Sequence, residues 1–226
     1  MNKTLHNNPT VLGHDPSRMA RAAVLAIGGI KGGIGKTTSA IFLALAYHRL
    51  GVKVLVIDAD PGSGSARRWN RRARMNGEPL PFEVVSHPAE DLEERIVDEG
   101  WHEQHQLLII DTGGDSDKIL KSAYKIADFL LLTASPSPAD LDTMDATARA
   151  TVGELGDRGI PEYLLITASK SARMVKNAKR DLREAGINVL TNTIGHFVEF
   201  QDAYGWTPGS DLGYEAVRYE IEELKA

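Results

Sequence analysis

The chain has 226 residues, 42% of them hydrophobic, and a formal net charge of −5. That length suits one well-packed domain, and the acidic balance excludes a protein that is basic all over, so contact with nucleic acid or an anionic membrane needs a local basic patch. There is no cysteine, which excludes disulfides, cysteine-ligated zinc, iron–sulfur clusters and thiol catalysis within the chain, and fits a cytoplasmic setting.

Residues 1–20 are polar, include Asn7-Asn8-Pro9 and hold no apolar stretch of signal-peptide length. They are expected to form a mobile tail ahead of a single domain over 21–226. Residues 22–28 are continuously apolar and end on glycine, as a buried strand does. A glycine-rich turn follows, then a helix-compatible run from Lys36 to Leu50 that Gly51 stops. Residues 52–57 read as a second strand ending on Asp58, and residues 82–86 as a further strand. Later apolar runs at 107–110, 129–132 and 163–166 alternate with helix-compatible segments near 63–75, 88–99, 115–126, 138–155 and 172–185. Near the end, Tyr214, Val217, Ile221 and Leu224 fall at helical spacing and predict a docked helix. Short apolar strands alternating with helices imply βαβ units: an α/β fold with a mostly parallel central sheet and helices on both faces. No apolar run approaches the roughly 20 residues of a membrane helix.

The first strand–turn–helix carries Lys31-Gly32-Gly33-Ile34-Gly35-Lys36-Thr37-Thr38. Glycines there let backbone N–H groups converge on phosphate oxygens, and the helix N-terminus adds its positive dipole end. Lys36 is placed for the β- and γ-phosphates and the Thr37 hydroxyl for Mg²⁺. The ordinary pattern G-x-x-x-x-G-K-[ST] misses by one residue, because Ile30 stands where its first glycine belongs. A second lysine, Lys31, is present instead.

These eight residues resemble the deviant Walker A motif of the ParA/MinD superfamily of P-loop ATPases; a proline motif further on, Ser135-Pro136-Ser137-Pro138, makes the small plasmid-partition (ParF-type) members the most similar. The resemblance implies ATP/ADP and Mg²⁺ as ligands, with Gly32, Gly33, Ile34, Gly35, Lys36, Thr37 and Thr38 around the phosphates. It also implies an ATP-dependent homodimer in which Lys31 reaches the partner's nucleotide.

Three further segments agree with that resemblance. Asp58-Ala59-Asp60-Pro61 ends the second strand with two carboxylates on one side of an extended chain. The resemblance makes Asp60 the residue that orients water and puts Asp58 near the Mg²⁺ shell. A capped strand-to-helix turn is the blander reading of the same residues. Gly62 stands where the family usually has glutamine, while Trp69 matches the family pattern. The run 107–110 ends on Asp111, resembling a Walker B segment in which Asp111 holds Mg²⁺ through water. Ser135-Pro136-Ser137-Pro138 resembles the family's proline motif and also reads as a rigid turn opening a helix. Past the strand ending at 166, Thr167-Ala168-Ser169 occupies the place where relatives often carry an Asn or Arg near the adenine, which makes Thr167 the candidate there.

Positive charge is localised. Arg67, Arg68, Arg71, Arg72 and Arg74 spread over one broad side of a helix, with Ala66, Trp69 and Ala73 opposite. Arg173, Lys176, Arg180 and Arg183 recur at i, i+3, i+7 and i+10, a single helical stripe. Either run reads as a solvated face or as a footprint for nucleic acid. The resemblance implies non-specific DNA binding by the ATP dimer, for which the second stripe is the candidate surface. It further implies a ParB-like adaptor, DNA segregation and a nucleoid-associated location.

Two rivals share the fold. A membrane-associated regulator of the MinD kind needs a basic amphipathic C-terminal helix, whereas Glu220-Ile221-Glu222-Glu223 is acidic. A metabolic ATP-dependent ligase needs a substrate-carboxylate site that no motif supplies.

Overall fold

The computed structural model describes residues 11–13, 21–29, 32–114, 117–138, 141, 160–169 and 171–225. Four apolar runs form strands buried along their whole length: β1 (Ala23–Gly28), β2 (Val54–Ala59), β4 (Leu107–Thr112) and β5 (Phe129–Ala134). They carry apolar residues at consecutive positions because both sheet faces are covered. In β4, Leu107 and Ile109 enter one core layer while Leu108 and Ile110 enter the other. Three more strands, β3 (Glu83–Ser86), β6 (Glu162–Ser169) and β7 (Val189–Gly195), complete a seven-stranded sheet of order β3-β2-β4-β1-β5-β6-β7. Every pairing is parallel.

One layer of helices consists of α1 (Lys36–Arg49), α2 (Ser65–Met75) and α8 (Tyr214–Lys225), with Phe42, Trp69 and Tyr214 in its core. The opposite layer holds α3 (Leu92–Asp98), α4 (Trp101–Gln104), α5 (Asp117–Ile126) and α6 (Ala172–Glu184). A short helix, α7 (Glu199–Asp202), precedes α8. Because β4 and β5 flank β1, the chain crosses over β1 between them. That makes a topological switch point at the C-terminal end of β1, the place where α/β sheets of this kind bind ligands.

Two sequence expectations change. In the segment expected to be a mobile tail, Val11 and Leu12 are fully buried, and the Leu12 amide donates to Glu222 Oε1 at 3.0 Å. The Tyr47 hydroxyl donates to the same oxygen at 2.6 Å, so residues 11–13 are pinned between α1 and α8. In the C-terminal helix, Tyr214, Val217 and Ile221 dock as expected, but Leu224 is 37% exposed. The helix expected over 138–155 lies almost wholly outside the described residues.

Strand β7 and helix α7 have no counterpart among the sequence expectations. Thr191, Asn192 and Thr193 interrupt the apolar run of β7, because it is an edge strand. The carboxylate of Glu220 on α8 takes up its outward amides: Thr191 N–H donates to one oxygen, and Asn192 N–H donates to the other at 2.8 Å. The helix thus closes an edge that would otherwise be open to further pairing.

Candidate functional site

The loop after β1 is built for close approach by an anion. Gly33 and Gly35 sit at φ 79° and 89°, left-handed backbone that suits glycine. A Cβ at Gly32 or Gly33 would meet nothing within 4 Å, so the space above them is open. Gly35 caps α1, no side chain caps that end, and its first turn holds no acid. The first-turn amides of a 14-residue helix therefore face the cleft. Lys36, Thr37 and Thr38 line this cleft of about 690 Å³. Asp60, Arg68, Trp69 and Tyr204 line its other side. Ile30 and Lys31 lie outside the described residues.

Three threonines at strand ends support the loop from below. Thr112 on β4 donates to the Ile27 carbonyl at 2.9 Å, and Thr133 on β5 to the Gly28 carbonyl at 3.4 Å. Thr167 on β6 donates to the Ile34 carbonyl, inside the loop itself, at 2.6 Å. Thr167 is 2% exposed, and a Cβ added at Gly35 would come into contact with its side chain. The hydroxyl expected near the adenine thus donates its proton to the loop, which supports a positioning role for Thr167. The pattern that marks these struts is a threonine ending each of three apolar runs.

Removing that hydroxyl leaves the Ile34 carbonyl without this partner. A Thr167→Val protein is expected to lose about 1–3 kcal/mol of stability. It is also expected to bind ATP and inorganic triphosphate more weakly by the same factor, because the defect lies in the phosphate cradle. Titration calorimetry with both ligands checks this. A loss confined to ATP would restore the base-contact role.

The acids converge on the same cleft. Asp58 and Asp111 are paired neighbours on β2 and β4 and are almost fully buried. Asp58 accepts the Asp60 amide at 3.2 Å and the Arg67 amide at 2.7 Å, which ties the loop to the first turn of α2. Burial raises its pKa, and those two amides work against the rise. Asp58 thus shapes the loop.

Asp60 accepts the Gly62 amide at 2.9 Å and the Ser63 hydroxyl. Partial burial alone would raise its pKa, but the Ser63 hydroxyl, the Gly62 and Ser63 amides and the Lys36 charge outweigh it and hold the carboxyl below its usual range. Gly113 allows this position, because a Cβ there would lie 2.7 Å from Asp60 Oδ1.

Asp111 differs from both. It is 1% exposed, and neither carboxylate oxygen has a hydrogen-bond partner. Burial pushes its pKa up to about 7. The Thr37 hydroxyl and the Lys36 charge act against that rise, while Asp58 and Asp60 reinforce it. The hydroxyl influences the carboxyl without completing a hydrogen bond.

A buried carboxylate lacking a donor beside a threonine hydroxyl fits a hard cation held through oxygen and water. Among the described residues no group of three or more acidic or histidine side chains could hold a metal alone. A cation bound here would need phosphate oxygens and water to complete its shell, as suits Mg²⁺.

This geometry agrees with what known proteins show. A family model described as the CobQ/CobB/MinD/ParA nucleotide binding domain matches residues 25–205. The chain belongs to this ParA/MinD family. It is 33% identical over 167 residues to a Gloeobacter kilaueensis protein named maintenance of carboxysome distribution protein A, covering 73% of this chain and 72% of the relative. A Borrelia burgdorferi putative plasmid partition protein bound to AMPPNP superposes with a TM-score of 0.66 at 21% identity, covering 90% of this chain and 98% of that one. The structure of pNOB8 ParA bound to nonspecific DNA superposes with a TM-score of 0.63 at 16% identity, covering 89% and 98%. The two structures establish the fold.

The remaining ParA/MinD features fall as follows. Trp69 is buried, its indole N–H donating to the Trp206 carbonyl at 2.8 Å. In the proline segment, the Ser137 amide donates to Ser135 Oγ at 3.3 Å, and the Leu141 amide donates to the Ser137 carbonyl. That is the rigid turn opening a helix. On α6, Ala178 and Leu182 face the core, while Arg173, Lys176, Arg180 and Arg183 are all exposed. Arg180 is neutralised by Asp181 at 2.8 Å, with Glu184 at 3.9 Å. The candidate stripe is thus accessible but partly charge-paired.

Proposed function

We propose that this chain is a Mg²⁺-dependent ATPase that dimerises on ATP, binds DNA without sequence preference and distributes a large cargo with a ParB-like adaptor. The observation that carries this reading is the pairing of an open, lysine-bearing phosphate loop with two acids in opposite states. Asp60 is held as a carboxylate, and Asp111 is buried with neither oxygen bonded. Static nucleotide binding has no use for the first.

In the proposed reaction, Lys36 and the loop amides bind the β- and γ-phosphates and stabilise charge spread over the transferring group. Thr37 and Asp111 would hold the cation, with Asp58 beside them, and Mg²⁺ would supply charge neutralisation at the phosphate oxygens. Asp60 orients the attacking water. A carboxylate held below its usual range is a weak base, so it positions the water without keeping its proton, which leaves with phosphate. Lys31 of the partner adds charge across the dimer.

The name of the Gloeobacter kilaueensis relative, for carboxysome distribution, supports a large cargo. A membrane-bound role fits less well. α8 spends Tyr214, Val217 and Ile221 on the core and exposes Glu215 and Glu223.

Two variants test the reading together. Asp60→Ala is expected to bind ATP normally, accumulate as the dimer and turn over at least about 100-fold more slowly. Lys31→Ala is expected to bind ATP and remain monomeric. Calorimetry, steady-state turnover and light scattering with ATP report all three quantities. Normal turnover by Asp60→Ala removes its proposed role, and an ATP dimer of Lys31→Ala removes the shared-site arrangement.

A further inference from the structure

The outer arginines of α2, Arg71 and Arg74, take no part in the site just described. Every exposed position of α2 up to Arg74 is an arginine: Arg67, Arg68, Arg71, Arg72 and Arg74. No acid occurs in the helix. Among the described residues none of the five forms an ion pair, whereas Arg21, Arg49, Arg95 and Arg180 each have a carboxylate partner. Arg67/Arg71 and Arg68/Arg72 are like-charge pairs at i,i+4, and the two arginines of the first turns oppose the helix dipole. The helix tolerates this because Ala66, Trp69 and Ala73 anchor it from behind.

The side chains divide into two rows. Arg68 lines the nucleotide cleft and Arg72 lies 6.0 Å from the Tyr204 ring centroid. Arg67, Arg71 and Arg74 form the outer row at i, i+4 and i+7, about 10 Å long. This row contains no apolar residue, unlike the buried centre of a protein interface. The Arg67 charge also acts on Asp58, which leaves Arg71 and Arg74 as the members of the row without an acid; such guanidinium groups match the phosphates of a nucleic-acid backbone, which guanidinium grips through two hydrogen bonds. Duplex DNA presents about one charge per 1.7 Å of its axis, so a row of this length faces several phosphates.

We infer that this face of α2 is a second DNA-phosphate contact surface, distinct from the α6 stripe. α2 and α6 pack on opposite faces of the sheet, so one straight duplex cannot lie against both helices of one protomer. The choice of DNA over another polyanion rests on the proposed function, while the location rests on the charges alone. Because Asp58 accepts the Arg67 amide, a duplex on α2 also bears on the element that carries Asp60.

The test is anisotropy of a labelled random-sequence duplex with the full chain and AMPPNP, between about 50 and 200 mM salt. Arg71→Ala/Arg74→Ala removes two outer-row charges away from the nucleotide cleft. It is expected to weaken binding about tenfold or more and to lower the salt slope by about 2, with Arg71→Lys/Arg74→Lys recovering both. Melting temperature and AMPPNP affinity are expected to stay at wild-type values. Wild-type affinity and slope in the double alanine variant, with the loss appearing in Arg173→Ala/Arg183→Ala, overturn the α2 surface and leave the DNA-binding reading standing. A wild-type chain that ignores the duplex overturns both. Polyglutamate that displaces the duplex at equal charge, through Arg71 and Arg74, also overturns the inference and assigns α2 to an acidic polypeptide.

Discussion

A Lys36→Ala chain is expected to bind ATP–Mg²⁺ at least about 100-fold more weakly than wild type, a loss near 2.7 kcal/mol at 1.36 kcal/mol per tenfold. The side chain is 8% exposed at the first position of α1, where its ammonium shares the cleft with the loop amides. A charge-assisted contact to phosphate in so enclosed a place is among the strong ones. The substitution also has a cost without ligand. Lys36 counters the rise in the Asp111 pKa and helps hold Asp60 low, so its removal leaves three neighbouring acids with less positive charge. Lys36→Arg separates the two effects. It keeps the charge while presenting a planar fork in place of a compact ammonium. We expect near wild-type thermal stability from Lys36→Arg, and impaired nucleotide binding from both variants. Titration calorimetry and thermal melts read the pair. An alanine variant binding within threefold of wild type would show that the loop amides alone hold the phosphates.

Much of this site is local, and local features are legible in sequence. The five long apolar runs became β1, β2, β4, β5 and β6 because strands covered on both faces need apolar residues at successive positions. The loop glycines and Lys36-Thr37 signal a backbone conformation and a charge, both carried by adjacent residues. What stayed hidden depends on partners far along the chain. Residues 11–13 dock because Glu222 and Tyr47 receive them, and two apolar residues in a polar segment carry no such signal. β7 is an edge whose amides are closed by a glutamate on another element, so its polar residues look like loop. Thr167 lies inside β6, two residues before its end, rather than past the strand, and the direction of its hydroxyl is a tertiary fact that supports a loop strut. Asp58 likewise reads as a metal-side acid, while the amide it accepts from Arg67 shows that it also fixes the start of α2. The two basic helices were equally legible as charge runs. Only the ion pairs distinguish them: among the described residues Arg180 pairs with Asp181 and Glu184, while no α2 arginine forms an ion pair.

Replacing Asp111 with asparagine is expected to stabilise the empty protein and disable the loaded one. In the empty protein the carboxylate is a buried charge without a donor, and such a group destabilises unless a proton or a cation neutralises it. The sign follows from its raised pKa of about 7 against the ordinary 3.8. Between those values the folded state holds a proton that the unfolded state has released, so folding is favoured on the acid side. That advantage is lost as pH rises through 7. From pH 6 to pH 8 the wild-type chain, freed of metal and nucleotide with a chelator, is expected to lose about 1.4 kcal/mol from this group. For a chain of this size that is a fall of roughly 3–6 °C in melting temperature. Asp111→Asn cannot ionise, so its melting temperature is expected to vary less over this range and to exceed the wild-type value at pH 8. With Mg²⁺ and ATP the order reverses. The wild-type carboxylate then has a cation to face, whereas the amide has no charge to offer it. Turnover in the variant is expected to fall at least about 100-fold, and the stabilisation by Mg²⁺–nucleotide to shrink with it. Melts at the two pH values, with chelator and with Mg²⁺–nucleotide, give the four numbers needed. Equal pH dependence in both proteins would mean that Asp111 does not titrate there. Undiminished stabilisation of the variant by Mg²⁺–nucleotide would move the cation's carboxylate to Asp58.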